Sequence, residues 1–213
     1  MSHNPAARGR PSPRILLHGR VPTGLKNLKF RCTGCGTCCR EPLLPLTDAD
    51  LRRLVRRTGD SLERMVKWVD RNGIDMDDEP EGFVMLRQGK RVMVLRHARR
   101  KCIYLGPDDR CTVYTSRPMG CRVFPLDAEF TRDGTLRRLS VMPSVECPYE
   151  LDGHNGLDAV RAVTDRYNRE NDAFHARVAD WNRGQRARKR AGKAAGTARQ
   201  FLVFLGLLEP TKH

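Results

Sequence analysis

Four cysteines within eight residues constrain this chain more than any other feature of its sequence. Four more cysteines follow, at positions 102, 111, 121 and 147, and the first four lie in the run Cys32-Thr-Gly-Cys35-Gly-Thr-Cys38-Cys39. Thiols three residues apart can converge on one centre when the backbone wraps around it. Gly34 and Gly36 permit the positive φ angles of such tight turns and let backbone N–H groups point at sulfur. Adjacent Cys38 and Cys39 cannot both face the same way from an ordinary backbone.

The sequence favours metal ligation over the other uses of clustered thiols. Four disulfides would need an oxidising compartment, but the only early apolar cluster, Ile15-Leu16-Leu17, is too short for a secretory segment. We therefore expect a cytoplasmic protein. A dithiol redox switch needs only one Cys-x-x-Cys pair, and inert buried thiols explain four cysteines in eight residues poorly. Metal or cluster binding is the better interpretation.

The cysteine spacing favours an iron–sulfur cluster over a zinc or iron ion. Zinc sites with four cysteine ligands usually combine two short knuckles, each with two cysteines separated by two to four residues. The later cysteines supply no second knuckle. Three cysteines at intervals of three, with remote cysteines besides, are closer to ferredoxins, although the only Cys-Pro is Cys147-Pro148. The loop can aim only three thiols at one centre, so a four-ligand site needs a remote cysteine. We predict as metal ligands Cys32, Cys35, Cys38, Cys39, Cys102, Cys111, Cys121 and Cys147.

Charge is concentrated near the two ends of the chain. The protein has 40 Lys and Arg against 25 Asp and Glu, and residues 1–31 and 183–199 contain no acid. These two segments hold 14 basic residues, which leaves 26 bases against 25 acids elsewhere. Such ends can contact nucleic acid or an anionic surface without specificity, or simply be solvated. No apolar run approaches the ~18 residues of a membrane span.

Local patterns predict an α+β fold: a small, irregular, metal-stapled domain with short β-hairpins and several helices, flanked by basic flexible tails. The predicted units are a flexible basic arm over 1–28, the cysteine-cluster domain over 29–182, and a basic tail with a short apolar end segment over 183–213. Thr47 should cap a helix that ends at Gly59, with Leu51, Leu54 and Val55 on its apolar face. The other predicted elements are a helix from Ser61 to Asn72-Gly73, a hairpin around Gly89, β runs at 102–105 and 111–114, a helical turn capped by Ser116, and a long helix over 157–181.

Several of these motifs, in this order, resemble the YkgJ-type cysteine-cluster family. The residues are Phe30-x-Cys32-x-x-Cys35-Gly36-x-Cys38-Cys39, Leu46-Thr47-x-x-Asp50, Cys102-x-Tyr104-Leu105 and Cys111-Thr-Val-Tyr114-x-x-Arg117-Pro118-x-x-Cys121-Arg122-x-Phe124-Pro125. The match covers roughly residues 30–150, and the resemblance implies zinc or iron chelation. Flagellin lysine-N-methylases share the signature and are thought to use an iron–sulfur centre. The resemblance implies chelation more firmly than catalysis.

The motif that runs from Cys111 to Pro125 also has a physical explanation that does not depend on the resemblance. A thiol within about a turn of a helix N-terminus has its pKa lowered, so Cys121 is the first choice for the remote ligand. Arg117 and Arg122 can offset the charge of several thiolates in the second shell. Cys147 is the weakest of the predicted ligands, because it is the most remote and precedes a proline. His97, on a predicted strand, is interpreted as half-buried and not as a ligand.

Three functions remain open from the sequence. The first is a metal or cluster protein. The second is a cluster-dependent protein-modifying enzyme, against which stands the absence of a Gly-x-Gly-x-x-Gly turn for a nucleotide. The third is a nucleic-acid adaptor acting through the basic tails, which salt-sensitive binding lost on deletion of 183–199 would reveal.

Overall fold

The fold combines five helices with eleven short strands, in a computed structural model that describes residues 27–28, 31–40, 43–74, 76, 80–133, 135–141, 149–150, 152–153 and 155–210. The helices are α1 (Asp48–Thr58), α2 (Leu62–Met65), α3 (Met119–Val123), α4 (Leu157–Arg190) and α5 (Ala198–Phe204). The strands are β1 (Asn27–Leu28), β2 (Arg31–Cys32), β3 (Val66–Val69), β4 (Val84–Leu86), β5 (Gly89–Leu95), β6 (His97–Ala98), β7 (Lys101–Cys102), β8 (Leu126–Phe130), β9 (Leu136–Val141), β10 (Tyr149–Glu150) and β11 (Asn155–Gly156).

All the strand pairs are antiparallel and most are very short. The largest sheet has the order β3-β5-β4, and four two-stranded pairs are β1-β11, β10-β2, β6-β7 and β8-β9. Helices and small antiparallel sheets together confirm the predicted α+β class. None of the helices in the described ranges combines the length and the apolar character that a membrane crossing requires.

Helix α1 begins and ends where its capping residues predict. Thr47 and Asp50 form a capping box, and Gly59 ends the helix in the left-handed conformation, at φ 69°. Leu51 and Leu54 are fully buried, as predicted, but Val55 is 37% exposed and the prediction of its burial was wrong.

The predicted second helix was wrong beyond its first turn. Ser61 caps α2 as expected, but α2 has four residues and the chain then enters β3. Val66 and Val69 fit a strand because β-branched side chains pack well on a pleated surface. Pairing of β3 with β5 along its full length outweighs the local helical pattern.

The hairpin around Gly89 is confirmed, with β4 and β5 joined at a glycine of φ 98°. The expected β runs after it are shorter. Cys102 lies in β7, opposite His97 in β6, and a single bridge joins Leu105 to Cys111. Ser116 does not cap α3: it ends a 3-10 turn, and α3 begins after Pro118 without a side-chain cap.

The long helix extends further than its apolar pattern predicts. Helix α4 runs to Arg190, well past Trp181, and Gly192 follows it at φ 69°. Within α4, Phe174 and Val178 are buried, whereas Val160, Val163 and Tyr167 are half-buried. The apolar end segment packs back on the core as α5.

The main core lies between the three-stranded sheet, α1, α4 and α5. Phe201 is fully buried and contacts three aromatic rings edge-on, with centroid distances of 6.0 Å to Trp68, 6.4 Å to Phe174 and 5.3 Å to Trp181. The side chain of Asn182 and the indole of Trp181 hydrogen-bond to the backbone of 83–85, which ties α4 to β4. Cys39 and Cys102 lie at the edge of this core.

Most of the predicted basic arm, residues 1–26, lies outside the described residues, as do most of the acidic run 75–79 and Cys147.

Candidate metal centre

The cysteine loop is short, glycine-dependent and tied to the rest of the domain at both ends. It starts in β2, where Cys32 pairs with Tyr149, and ends in a 3-10 turn over Thr37–Cys39. Gly34 and Gly36 have φ angles of 72° and 70°, which confirms the predicted need for left-handed turns. The Gly34 N–H donates to the sulfur of Cys32 at 3.4 Å.

Arg40 anchors the loop to the turn that precedes Cys111. Its guanidinium donates to the carbonyl of Cys35 at 3.0 Å and pairs with Asp109 at 2.5 Å. A Cβ at Gly36 would lie 2.7 Å from this guanidinium and 3.1 Å from the Asp109 carbonyl. Only glycine therefore fits at Gly36.

The second group of cysteines is brought to the loop by the segment 101–113. Cys102 accepts a hydrogen bond from the Tyr104 N–H at 3.4 Å, and the Tyr104 hydroxyl donates to Asp60 at 2.9 Å. The turn 106–110 is closed by the Gly106 N–H, which donates to the carbonyl of Arg110 at 2.8 Å. This turn places Cys111 beside Cys102, on the side that faces the loop.

Asp50 links the helix that follows the loop to the helix that carries Cys121. One carboxylate oxygen accepts from the Met119 N–H at 2.8 Å, and the other accepts from the N–H and hydroxyl of Thr47 at 3.0 and 2.9 Å. Arg53 pairs with both Asp50 and Glu170. Asp50 is 2% exposed, so this network fixes the start of α3 from inside the protein.

Five thiols lie near one another at this place. Cys39 interacts with the thiols of Cys38, Cys102 and Cys111. Charge interactions join Cys121 to the same three thiols. We call these five side chains the inner thiols: Cys38, Cys39, Cys102, Cys111 and Cys121.

Contacts with Cys39 shift the pKa values of its neighbours. The contact with Cys39 lowers the pKa of Cys38 to about 7 and that of Cys111 to about 6, and it also lowers the pKa of Cys102. The same contacts, together with burial, raise the pKa of Cys39. The positive charge of Arg117 also lowers the pKa of Cys38 and Cys111. Thiolates are the form that binds metal.

The expectation of a lowered pKa at Cys121 was wrong. Burial raises its pKa, and the neighbouring Cys38, Cys102 and Cys111 raise it further. Helix α3 has only five residues and begins without a cap. The helix-terminus effect is small beside the removal of a thiolate from water.

The other predicted site residues are placed differently. Cys32 is exposed, and no contact within the described residues joins it to the inner thiols. Cys35 is half-buried and donates to the Thr37 hydroxyl at 3.2 Å. Cys147 lies outside the described residues. Burial and Lys67 lower the pKa of the half-buried His97.

The two arginines of the predicted second shell differ in position. Arg117 lies 4.1 Å over the Tyr114 ring and acts electrostatically on three inner thiols. Arg122 donates instead to the carbonyls of Thr115 and Arg117, so it holds the approach to α3.

The donor set fits a thiophilic metal, although it is not arranged as a finished site. Within the described residues, no three or more His, Cys, Asp or Glu side chains stand in the geometry of a ready metal site. Instead the inner thiols lie near one another, and Cys39 interacts with three of them. Three thiols of this all-sulfur set, those of Cys38, Cys102 and Cys111, have lowered pKa values. Such a set suits zinc and iron, which replace thiol protons when they bind.

Sequence reasoning missed two supporting residues. Arg40 follows the cysteine run directly, but nothing in the pattern shows that it reaches Asp109. Asp50 is recognisable as a helix-start residue next to Thr47, yet its bond to Met119 joins segments 69 positions apart. The signal for this second role is that Asp50 belongs to the Leu46-Thr47-x-x-Asp50 motif as well as to the start of the helix.

Comparison with known proteins agrees with this geometry. A family model described as "CxxCxxCC: Putative zinc- or iron-chelating domain" matches residues 31–138, which include all five inner thiols. Neither the curated proteins nor the solved structures contain a match to this chain. The matched region is half of the sequence and supports metal chelation in general. The chain belongs to the CxxCxxCC family of zinc- or iron-chelating domains.

Proposed function

We propose that the inner thiols form one thiolate centre that chelates iron or zinc. The observation that carries the proposal is the meeting of five thiols from three separate parts of the chain around Cys39. A cluster of buried, like-charged groups is costly unless something compensates the charge. A bound cation does so, and Arg117 supplies part of the remaining positive charge.

A tetrahedral ion or a cubane cluster needs four thiolates, so five inner thiols exceed the requirement by one. Four of the inner thiols supply these ligands, and the fifth stays unligated. Cys35 and Cys147 stay predicted ligands of a wider set, and the exposure of Cys32 argues against it.

The finer form of the proposal is an iron–sulfur cluster, for which four thiolates from the inner thiols are enough. A zinc ion on the same thiolates is the alternative. No described feature favours the methylase-like enzyme over a binding protein, so the proposal is chelation.

The direct test is the ultraviolet–visible spectrum and the elemental analysis of protein purified without oxygen. An iron–sulfur cluster gives broad visible absorption together with iron and acid-labile sulfide. Zinc gives a colourless protein that contains the metal in simple ratio to the chain. Protein that holds neither metal, and takes up neither when each is supplied under reducing conditions, would overturn the proposal.

A further inference from the structure

A basic surface lies on the side of the fold where the β4–β5 hairpin meets the end of α4. All of its side chains are exposed. We call it the basic face, and its members are Arg87, Lys90, Arg186, Lys189, Arg190 and Lys193.

The fold, and not the sequence order, creates this face. The Arg87 N–H donates to the carbonyl of Gly196 at 2.8 Å, which joins the hairpin turn to the segment after α4. One helical turn before Arg186, the Asn182 side chain accepts from the Met85 N–H at 2.7 Å. Two acid-free segments, 87–91 and 183–199, are therefore packed side by side.

Most of the basic side chains on this face are not neutralised by an acidic side chain in the described part of the protein. Within the described residues, Arg87, Lys90, Lys189, Arg190 and Lys193 form no ion pair. Two neighbours are already engaged, since Arg183 pairs with Asp180 and Arg188 donates to the carbonyl of Ala194 at 3.0 Å. Basic residues in the last turn of a helix do offset its dipole, but that effect is small and reaches only that turn.

An exposed aromatic ring lies beside the basic face. Phe204 is 46% exposed, and its ring centroid is 5.5 Å from that of Trp181. The Trp181 ring in turn packs on Gly196, at 2.6 Å from the position of an added Cβ. The Trp181 ring therefore lies between Phe204 and Gly196, whose carbonyl accepts the hydrogen bond from the Arg87 N–H.

We propose that the basic face binds the phosphate backbone of a single-stranded nucleic acid, with Phe204 as a stacking surface for a base. Arginine and lysine along a path with an adjacent exposed aromatic are the elements of sequence-tolerant single-strand binding. A lipid surface fits less well, because interfacial binding uses a broad apolar stripe. In the described part of the chain, the other large apolar side chains that are exposed, Val55 and Tyr114, lie on different elements. The proposal does not depend on the metal centre.

The test is fluorescence anisotropy of the full-length, metal-loaded protein with a labelled single-stranded RNA of mixed sequence. The variant is Lys189→Glu with Arg190→Glu. Its matched control is Arg56→Glu with Arg57→Glu, which makes the same charge change at two exposed positions in the last turn of α1. We expect the first pair to weaken binding about tenfold or more and the control to change it little. The dependence of log Kd on log salt should lose a slope of roughly 0.7 for each phosphate contact removed.

Phe204→Ala tests the stacking part: binding of the RNA should weaken, and binding of heparin, which has no bases, should not. Equal losses in the two double variants would show only a response to net charge and would overturn the proposal. RNA affinity that neither double variant changes would also overturn it, by assigning binding to another part of the chain. A third outcome would overturn it as well: none of the proteins binds RNA, and the variant Lys189→Glu with Arg190→Glu loses binding to phosphatidylserine vesicles. That outcome would assign the basic face to a lipid surface. Thermal melts of all variants exclude unfolding as the cause.

Discussion

The aromatic core around Phe201 and the pole that carries the inner thiols are built on different principles. The core has side chains interlocked from two helices and a sheet, with Phe201, Phe174 and Trp181 buried. The cysteine pole, which we define as residues 31–40 and 101–123, is made of turns, two-residue strands and a five-residue helix. Its contacts are hydrogen bonds, ion pairs and thiols, together with a few apolar side chains such as Tyr104 and Val113 that join the core.

The difference shows where the stability of each region originates. Burial of large apolar side chains stabilises the core at about 25 cal/mol per Å² without any ligand. The pole contributes only a few buried apolar side chains, among them Tyr104, Val113 and Met119, and its strands are too short to be stable alone. We therefore expect the core to fold without metal and the pole to be ordered fully by the metal.

The largest expected effect comes from metal removal. Thiolate binding of a structural metal contributes on the order of 10 kcal/mol to the folding of small sites. Chelation should therefore expose amides in residues 31–40 and 101–113 to hydrogen exchange, while residues 174–185 remain protected. Equal loss of protection in both regions would contradict the division between core and pole.

Acid should remove the metal in the same way. The pKa values of Cys38 and Cys111 are lowered to about 7 and about 6, so these thiolates persist above those values. As the pH falls below about 7 for Cys38 and about 6 for Cys111, protons compete with the metal for these thiolates, so the affinity for metal falls. A chromophoric chelator should record faster metal release below about pH 6 than above about pH 7.

Phe201→Ala tests the core alone. Truncation of a fully buried Phe costs about 3–5 kcal/mol, so the midpoint of thermal or urea unfolding should fall strongly while the metal content at low temperature stays unchanged. Phe204→Ala, on the same helix but half-exposed, is the control and should cost about 1 kcal/mol or less. Loss of metal in Phe201→Ala below its melting temperature would show that the two regions are not separable.

Asp50→Asn tests the connection between the two regions. Removing the charge from a buried, paired carboxylate should cost about 3 kcal/mol, and it should loosen the bond to the Met119 N–H. We expect faster alkylation of Cys121 in the metal-free protein. Asp48→Asn is the matched control, because Asp48 is also buried and paired, with Arg177, but lies outside the contact with α3. Identical rates of Cys121 alkylation in the two variants would show that Asp50 does not position α3.

Arg40→Ala should have the smallest effect. It removes a backbone hydrogen bond and a partly exposed ion pair between the loop and the turn 106–110, which together contribute about 1 kcal/mol. The comparison is Arg64→Ala, which removes an exposed pair within one helical turn and should cost about 0.5 kcal/mol or less. Metal dissociation should be faster only in Arg40→Ala. Equal rates in both variants would mean that Arg40 does not hold the loop.

The parts of the fold with local causes were predictable from the sequence. Thr47 with Asp50, Gly59, and the Gly89 hairpin each carry their signal within a few residues, and all are confirmed. Val66–Val69 became a strand because of its partner β5, which lies well beyond the reach of any local pattern. The end of α4 was missed for a similar reason. A run of basic residues is typical of a solvated tail, but here it continues a helix that packs on β4.

The candidate site was predictable in composition but not in arrangement. The argument that a remote cysteine must join the loop stays a prediction, and Cys102, Cys111 and Cys121 are the remote cysteines that interact with Cys38 or Cys39. Equal spacing of Cys32, Cys35 and Cys38 suggested that these three converge, but β2 carries Cys32 to the surface. The position of Cys32 is set by the pairing of β2 with β10, a strand from a distant part of the chain. The spacing of the cysteines carries no information about that pairing.

The metal content of two serine variants tests the central claim most directly. Cys111→Ser removes one inner thiol, and Cys32→Ser removes an exposed thiol of the same run that makes no contact with them in the described part of the chain. Both are purified without oxygen and analysed for zinc, iron and sulfide per chain. The account predicts that Cys111→Ser loses most of the metal and that Cys32→Ser keeps it. Full metal content in Cys111→Ser, or loss in Cys32→Ser alone, would contradict it.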